Sequence, residues 1–204
     1  MASIGRTKKL KGDFIMANQT TASTTKVITG IVRFSYAHVW EPDSIDGGEP
    51  KYSVAILIPK SDGATLTKVQ NAVKAAIEAG KMKLAGANGQ VNTAALKTPL
   101  RDGDAERSDD PVYVGHYFFN ASSKSHPGVV DAAVNPILNQ SEFYSGCYGR
   151  ASVNFYAFNT KGNKGIACGL NNLQKTKDGE SLAGGSSADE DFTAEAAPAF
   201  DLLG

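Results

Sequence analysis

The main group of carboxylates in the chain lies at residues 102–110, within the stretch PLRDGDAERSDDP. Its members are Asp102, Asp104, Glu106, Asp109 and Asp110. Carboxylate oxygens are the ligands that Mg²⁺ and Ca²⁺ prefer, and many nucleases hold their metal in this way. The spacing does not match an EF-hand loop, and Arg101 and Arg107 lie in the same run, where they would repel a cation. We therefore predict a solvated loop with internal ion pairs, and keep a metal-dependent nuclease or recombination enzyme as the alternative.

Other catalytic patterns are absent from the sequence. There is no GxxxxGK[ST] phosphate loop, no GxSxG nucleophile elbow and no HExxH metal motif. His38, His116 and His126 are scattered without metal-ligand spacing, which predicts ordinary surface or hydrogen-bonded histidines. Cys147 and Cys168 are too far apart for a CxxC motif, which predicts two reduced and largely buried thiols. The sequence thus predicts no enzyme activity, no cofactor and no bound metal.

Residues 147–159, CYGRASVNFYAFN, alternate between an apolar set and a set of polar and aromatic side chains. One parity of this predicted strand is a small apolar set suited to a barrel interior, namely Ala151, Val153, Phe155 and Ala157. The other parity includes Tyr148, Arg150 and Tyr156. Rings stack on unpaired bases at about 1–3 kcal/mol each while a guanidinium binds phosphate, so this face indicates single-stranded nucleic-acid binding. Cross-strand packing of the rings is the structural alternative.

Residues of the same kinds elsewhere complete the predicted DNA-binding site. Basic side chains would bind phosphates, and this group comprises Arg33, Lys51, Arg150 and Lys164. Aromatic side chains would stack on bases, and this group comprises Tyr36, Trp40, Tyr148 and Tyr156. Tyr117 is added to the site, although the parity of its strand is ambiguous.

Alternating and helical patterns predict the elements that carry these residues. Residues 26–36 alternate as a half-buried strand, with one face formed by Ile28, Val32, Phe34 and Tyr36. Residues 52–58 alternate in the same way, with Ala55 and Leu57 on the outward face. Leu66, Val69 and Val73 then recur at helical spacing, behind a cap at Ser61 and Asp62 and ahead of Gly80.

The second half of the chain predicts three more strands. Residues 80–111 are rich in Gly, Asn and Asp, which predicts a long irregular connection. Residues 112–120 again have the pattern of a strand. Residues 147–159 and 165–174 flank a Lys-Gly-Asn turn and predict a hairpin. The pattern predicts a mainly β protein, a five-stranded OB-fold barrel with one amphipathic helix. An SH3-like barrel or a β-sandwich is the structural alternative.

Charge is unevenly distributed along the chain. Every basic residue lies at or before Lys177, whereas residues 179–204 contain six acids and no base. We predict a flexible leader at residues 1–25, of which residues 1–15 are interpreted as a tag, a scar or an extension. A globular domain at 26–178 and a disordered acidic tail at 179–204 follow. The tail would occupy the protein's own cationic groove or bind replication proteins.

No apolar stretch is long enough for a membrane-spanning helix, and residues 1–25 lack the apolar core of a secretory signal. These features predict a cytoplasmic protein that does not bind membranes.

Five stretches follow one another along the chain: KVITGIVRFSYAHVWEP, GGEPKYSVAILIPKSD, PLRDGDAERSDDPVY, SEFYSGCYGRASVNFYAFN and NKGIACGLNNLQK. Together they closely resemble a family of phage and prophage single-stranded DNA-binding proteins long catalogued as a domain of unknown function. The resemblance implies an OB fold and a non-enzymatic role in phage DNA replication or recombination, similar to the phage T7 single-strand binding protein with its acidic tail. The leader ahead of Met16 and the end at Asp201-Leu-Leu-Gly depart from these patterns.

The sequence therefore predicts a phage protein that coats single-stranded DNA without sequence preference and acts in the host cytoplasm. A different interpretation is an interaction module, in which the acidic tail binds partner proteins and the groove is incidental. Removing the tail distinguishes the two, because the module would then show no DNA affinity.

Overall fold

The computed structural model describes residues 24–44, 47–160 and 162–182. Within these ranges the chain is mainly β, as predicted, with one long α-helix, two short ones, and two 3-10 turns at Thr93–Ala95 and Gln140–Glu142. The elements in chain order are β1 (Lys26–Ile28), β2 (Val32–Asp43), β3 (Lys51–Pro59), α1 (Gly63–Ala79), α2 (Lys81–Leu84), β4 (Arg101–Asp102), α3 (Gly103–Glu106), β5 (His116–Ser123), β6 (Gly128–Val130), β7 (Tyr148–Thr160) and β8 (Asn163–Lys177). None of the helices in the described ranges is long and apolar enough to cross a membrane.

The strands pair into one sheet in the order β1-β7-β2-β3-β5-β8-β6, with β4 beside β5. β7 also pairs with β8 from Thr160↔Asn163 back to Tyr148↔Lys177, so the predicted hairpin is present. The pairings that run from β7 through β2, β3, β5 and β8 therefore lead back to β7. The parallel link between β5 and β8 rests on one register pair, Ser122↔Gly169.

Helix α1 forms where its caps and apolar spacing predict it. The Asp62 side chain accepts a hydrogen bond from the backbone N–H of Thr65 at 3.0 Å, which satisfies one free donor of the first turn. Gly80 ends the helix, and the buried face includes Val69, Ala72 and Ala76. A Cβ on Gly80 would collide with Ala157, so the missing side chain lets the helix end pack closely on β7.

The core lies between α1 and the inward faces of the long strands. Phe34, Ile56, Phe119 and Phe155 have no exposed surface, and the rings of Phe119 and Phe155 lie 5.5 Å apart. The inward parity predicted for β7 is confirmed, since its four apolar residues are all buried. Cys147 and Cys168 are buried free cysteines, and desolvation raises the pKa of both thiols.

The strand predicted at residues 26–36 is wrong in its continuity, and its predicted parity is correct at Val32 and Phe34 but wrong at Ile28 and Tyr36. It divides into β1 and β2, because Gly30 turns inward and its N–H donates to the Thr65 hydroxyl at 2.8 Å. The break moves Ile28 to the surface, where 56% of it is exposed. The register shifts again between Ser35 and His38, and this β-bulge exposes Tyr36.

The outward face predicted for β3 is also wrong. Ala55 and Leu57 are buried, because residues 103–115 fold across the outer side of β3 and β5. Tyr113 and Phe118 complete this second small core, with ring centroids 4.8 Å apart. The strand predicted at residues 112–120 accordingly begins only at His116.

The predicted leader and tail lie largely outside the described residues. Thr25 packs onto the sheet, since its hydroxyl donates to the Asn154 side chain at 2.9 Å. Residues 179–182 lie against the body of the protein, where Leu182 N–H donates to the Ser145 carbonyl at 2.8 Å. Residues 1–23 and 183–204 are outside the described part of the chain.

Candidate nucleic-acid interface

A cleft of about 540 Å³ opens on the outward side of β2, β3 and β5. It forms because residues 103–115 cover only part of this side of the sheet and leave the rest exposed to solvent. The side chains that line it are mostly polar, and they include Tyr36, Lys51, Ser53, Arg107, Asn120 and Ser122. These six residues define the cleft below.

Tyr36 stands at one end of the cleft in an unusual backbone conformation. Its φ is +45°, in the left-handed region that side-chain-bearing residues rarely adopt, and 54% of the residue is exposed. Such a conformation costs on the order of 1–3 kcal/mol and persists only where the surrounding structure imposes it. The bulge in β2 therefore holds an aromatic ring out to solvent.

Arg107 supports the Tyr36 ring from the loop that crosses the sheet. Its guanidinium donates to the Tyr36 hydroxyl at 3.5 Å and lies 5.7 Å from the centre of that ring. The same group lies 5.0 Å from the ring of Tyr113, of which only 1% is exposed. Burial raises the pKa of Tyr113, and the hydrogen bond with Tyr36 raises the pKa of Arg107. Arg107 is thus a permanent cation between a buried ring and an exposed ring.

Lys60 anchors the loop that carries Arg107. Its ammonium contacts Asp102 at 2.6 Å and Asp104 at 2.7 Å, and Asp104 also accepts from the Gly115 N–H at 2.6 Å. Hydrogen bonding with Lys60 lowers the pKa of Asp104, and the two carboxylates raise the pKa of Lys60. The ion pairs predicted for the acidic run are present in part, since Arg101 contacts Glu106 at 3.5 Å.

Asp102, Asp104 and Glu106 of this loop are therefore used as structural ties. Within the residues that the structure describes, no three His, Cys, Asp or Glu side chains are grouped so that they could hold a metal ion. The nuclease alternative finds no support in this geometry.

The structure brings Tyr36 and Lys51 to the cleft and places Tyr156 beside its far end. Ser122 in the cleft pairs with Gly169 of β8, and Gly169 pairs with Asn154 of β7. A Cβ on Gly169 would lie 3.5 Å from the Tyr156 ring, which is 46% exposed. The outer surface of the sheet therefore continues from the cleft across Gly169 to the exposed ring of Tyr156.

Arg33 and Tyr148 come together at a different place. The Arg33 guanidinium lies 5.5 Å from the Tyr148 ring, and Lys177 lies 5.9 Å from the same ring. Arg33 also donates to the carbonyls of Gly146 at 3.3 Å and Glu180 at 3.1 Å. Residues 178–182 lie against this cluster, and the Arg33 guanidinium already has carbonyl partners within the chain.

Two of the predicted aromatic residues are engaged in packing. Trp40 Nε1 donates to the Phe143 carbonyl at 3.1 Å, and its ring packs against the core and lies 5.8 Å from His126. Tyr117 shares the inward parity of Phe119, and the Lys60 ammonium lies 5.0 Å from its ring. Neither ring lines the cleft.

The two remaining predicted cations lie elsewhere. Lys164 donates to the carbonyls of Leu84, at 3.3 Å, and Ala85, so it caps the end of α2. Arg150 is exposed on the outer face of β7, beside Ile28 and Val134. The structure does not bring these two cations to the cleft.

Sequence reasoning missed Arg107, Asn120 and Ser122 as cleft residues. In the sequence Arg107 lies in the acidic run, where its charge indicates only repulsion of a metal ion. Asn120 and Ser122 share one parity of β5, opposite Phe119 and Ala121, and a correct strand boundary would have identified both.

The family described as Enterobacter phage Enc34 ssDNA-binding protein matches residues 25–202, most of the chain. The chain belongs to this family. A relative, putative protein p50 of Acyrthosiphon pisum secondary endosymbiont phage 1, is 32% identical over 167 residues, which cover 80% of this chain and 89% of p50.

Two solved structures are similar to this chain. The Enc34 single-stranded DNA-binding protein in complex with ssDNA is 27% identical, with a TM-score of 0.65, over 78% of this chain and 90% of that protein. The single-stranded DNA-binding protein gp2.5 of bacteriophage T7 is similar in fold, with a TM-score of 0.57 over 81% of this chain and 98% of gp2.5, at 16% identity.

Proposed function

We propose that this protein binds single-stranded DNA without sequence preference and that the cleft on β2, β3 and β5 is its binding surface. The observation that carries the proposal is the exposed Tyr36 ring, which shares the cleft with Lys51 and Arg107. An exposed ring stacks on any unpaired base, whereas cations follow the phosphates, and neither reads sequence. Membership of the Enc34 family supports the same function.

We further propose that the closed path of strand pairings corresponds to an OB-type barrel. Five strands take part in the cycle, and its one parallel link is the one between β5 and β8. OB folds bind oligonucleotides on one face of such a barrel, which agrees with a cleft on adjacent strands.

The path that we propose for the strand runs from Tyr36, past Lys51 and Ser122, over Gly169 to Tyr156. Arg33, Tyr148 and Arg150 are proposed as outer contacts of a longer strand that would extend beyond this path. Trp40, Tyr117 and Lys164 are the weakest candidates, because their polar groups or rings are used within the fold.

The proposed biological role is protection of exposed strands during phage DNA replication or recombination, in the cytoplasm of the host bacterium. The acidic segment at residues 179–204 is proposed to recruit replication proteins of the phage or host, because its acids are interspersed with Phe192 and Phe200.

The proposed function is tested with fluorescently labelled oligo-dT and with a labelled duplex of equal length. Anisotropy should rise with the single strand at far lower protein concentration than with the duplex. In the same samples Mg²⁺ or Mn²⁺ is added, and the DNA is analysed on a denaturing gel. Intact DNA supports a binding protein, whereas metal-dependent cleavage by the purified protein would restore the nuclease alternative.

A further inference from the structure

A second hollow of about 350 Å³ lies next to the cleft, and Tyr36 and His38 line both. Ala37, Ser145 and Leu182 also line the second hollow. The Tyr36 ring therefore stands between two adjacent spaces on one surface.

We infer that the Tyr36 ring is a wedge that inserts between two successive unpaired bases, so that one base lies in the cleft and the other in the second hollow. Arg107 is the positioning residue that holds the Tyr36 side chain in its exposed orientation. The inference rests on the proposed single-stranded DNA binding at the cleft. Insertion of the ring would make the protein selective for single-stranded over duplex DNA. A single strand opens a gap between neighbouring bases easily, whereas a duplex must be unstacked and kinked to admit a side chain.

The backbone at Tyr36 supports a role for the ring itself. At a φ of +45° glycine would be the least strained residue, and the ring at this position is more than half exposed. A strained, exposed tyrosine adds little to the core. The position therefore presents an aromatic surface to something outside the fold.

The surroundings of Arg107 explain how the ring is held. The guanidinium reaches the Tyr36 side chain at its hydroxyl end, 5.7 Å from the centre of that ring, and it lies 5.0 Å from the centre of the buried Tyr113 ring. It also donates to the Tyr36 hydroxyl, which fixes the direction of the side chain. Lysine would keep the charge but has neither the planar surface nor the fork of donors.

The test compares the full chain with Tyr36→Gly, Arg107→Lys and the double variant, each titrated with oligo-dT and with a hairpin duplex at the same low salt. Tyr36→Gly removes the ring and suits the left-handed backbone, so the fold is retained. Arg107→Lys removes the support and retains the charge. Lys74→Ala, an exposed position on α1, is the control for an unrelated surface change. Thermal melting confirms folding of every variant.

We expect Tyr36→Gly to weaken oligo-dT binding by about 5- to 150-fold, the range for one base–aromatic stack. Arg107→Lys should weaken it by a smaller factor with an unchanged salt slope, and the double variant should bind no worse than Tyr36→Gly. Duplex binding should change by less than about twofold in all of them, because it depends on charge.

The wedge is disproved if the two substitutions act additively, or if they weaken duplex binding as much as single-strand binding. It is also disproved, with the proposed function intact, if the full chain binds oligo-dT and Tyr36→Gly binds it equally well. Absence of oligo-dT binding by the full chain would instead overturn the proposed function and the wedge together.

Discussion

Arg33 donates a hydrogen bond to the backbone carbonyl of Glu180 at 3.1 Å and thereby ties β2 to the segment that follows β8. The tie is reinforced by Tyr144, whose hydroxyl donates to the Gly179 carbonyl at 2.9 Å. A side chain on Gly179 would collide with Gly146, so the two backbones meet closely here. The described part of the chain thus ends at Leu182, which lines the hollow beside Tyr36.

The first prediction concerns a truncation after Leu182, which removes five acids and no base. The neutral protein acquires a net charge of about +5, so affinity for oligo-dT should increase, most of all at low salt, where screening is weakest. Anisotropy titrations at several salt concentrations measure this. The melting temperature should not change, because the packed residues 178–182 remain.

A truncation after Lys177 is the matched comparison. It removes the partners of Arg33 and Tyr144 as well, so its melting temperature should fall below that of the shorter truncation. Unchanged or weaker DNA binding by the Leu182 truncation at low salt would show that the acids neither repel nor compete with DNA.

The second prediction is the salt dependence of Lys51→Ala. If Lys51 neutralises one phosphate, log K of the full chain should fall linearly with log salt, and the slope of the variant should be smaller in magnitude by about 0.7. Titrations with oligo-dT over a series of salt concentrations give both slopes. Equal slopes would remove Lys51 from the phosphate path.

The third prediction concerns pH and the loop that carries Arg107. Because the folded-state pKa of Asp104 is lowered, chiefly by Lys60, its contribution to stability is complete above the unfolded value near about pH 4 and is lost as pH falls through the lowered pKa. Carbon-detected NMR of the Asp104 carboxyl should show this low value. In Lys60→Met the value should return towards normal, and an identical titration in both proteins would contradict the role of Lys60.

The fourth prediction uses the distance between the two exposed tyrosines. Tyr156 lies on β7, two strands beyond Ser122, so only a long strand can cover it together with Tyr36. Tyr156→Ala should weaken binding of long oligo-dT by about 1–3 kcal/mol and leave the shortest oligomers that still bind unaffected. A uniform loss at every length, or none at any, would exclude the proposed path over Gly169.

Local patterns predicted the parts of the fold that depend on local physics. The Asp62 cap and apolar spacing gave α1 correctly, and alternation gave the buried face of β7. Both the helix and the buried face of β7 follow from the types of a few neighbouring residues, and packing against the core reinforces this local preference.

The cleft could not be predicted in this way, because it depends on contacts between distant residues. Arg107 and Tyr36 are separated by 71 positions, and the bulge that exposes Tyr36 leaves no mark in the alternating pattern of β2. The alternating pattern places Ala55 and Leu57 on the exposed side of a strand, because nothing local indicates that Tyr113 covers them. The sequence also does not reveal that carbonyl groups within the fold already bind the Lys164 ammonium.

Backbone amide shifts of the ¹⁵N-labelled protein, followed during titration with a short oligo-dT, test most directly whether DNA occupies the cleft. We expect the largest changes at Tyr36, Lys51, Arg107 and Ser122, with little change along α1. Changes confined to α1 or to the surroundings of Lys164, with Tyr36 and Lys51 unaffected, would contradict this expectation.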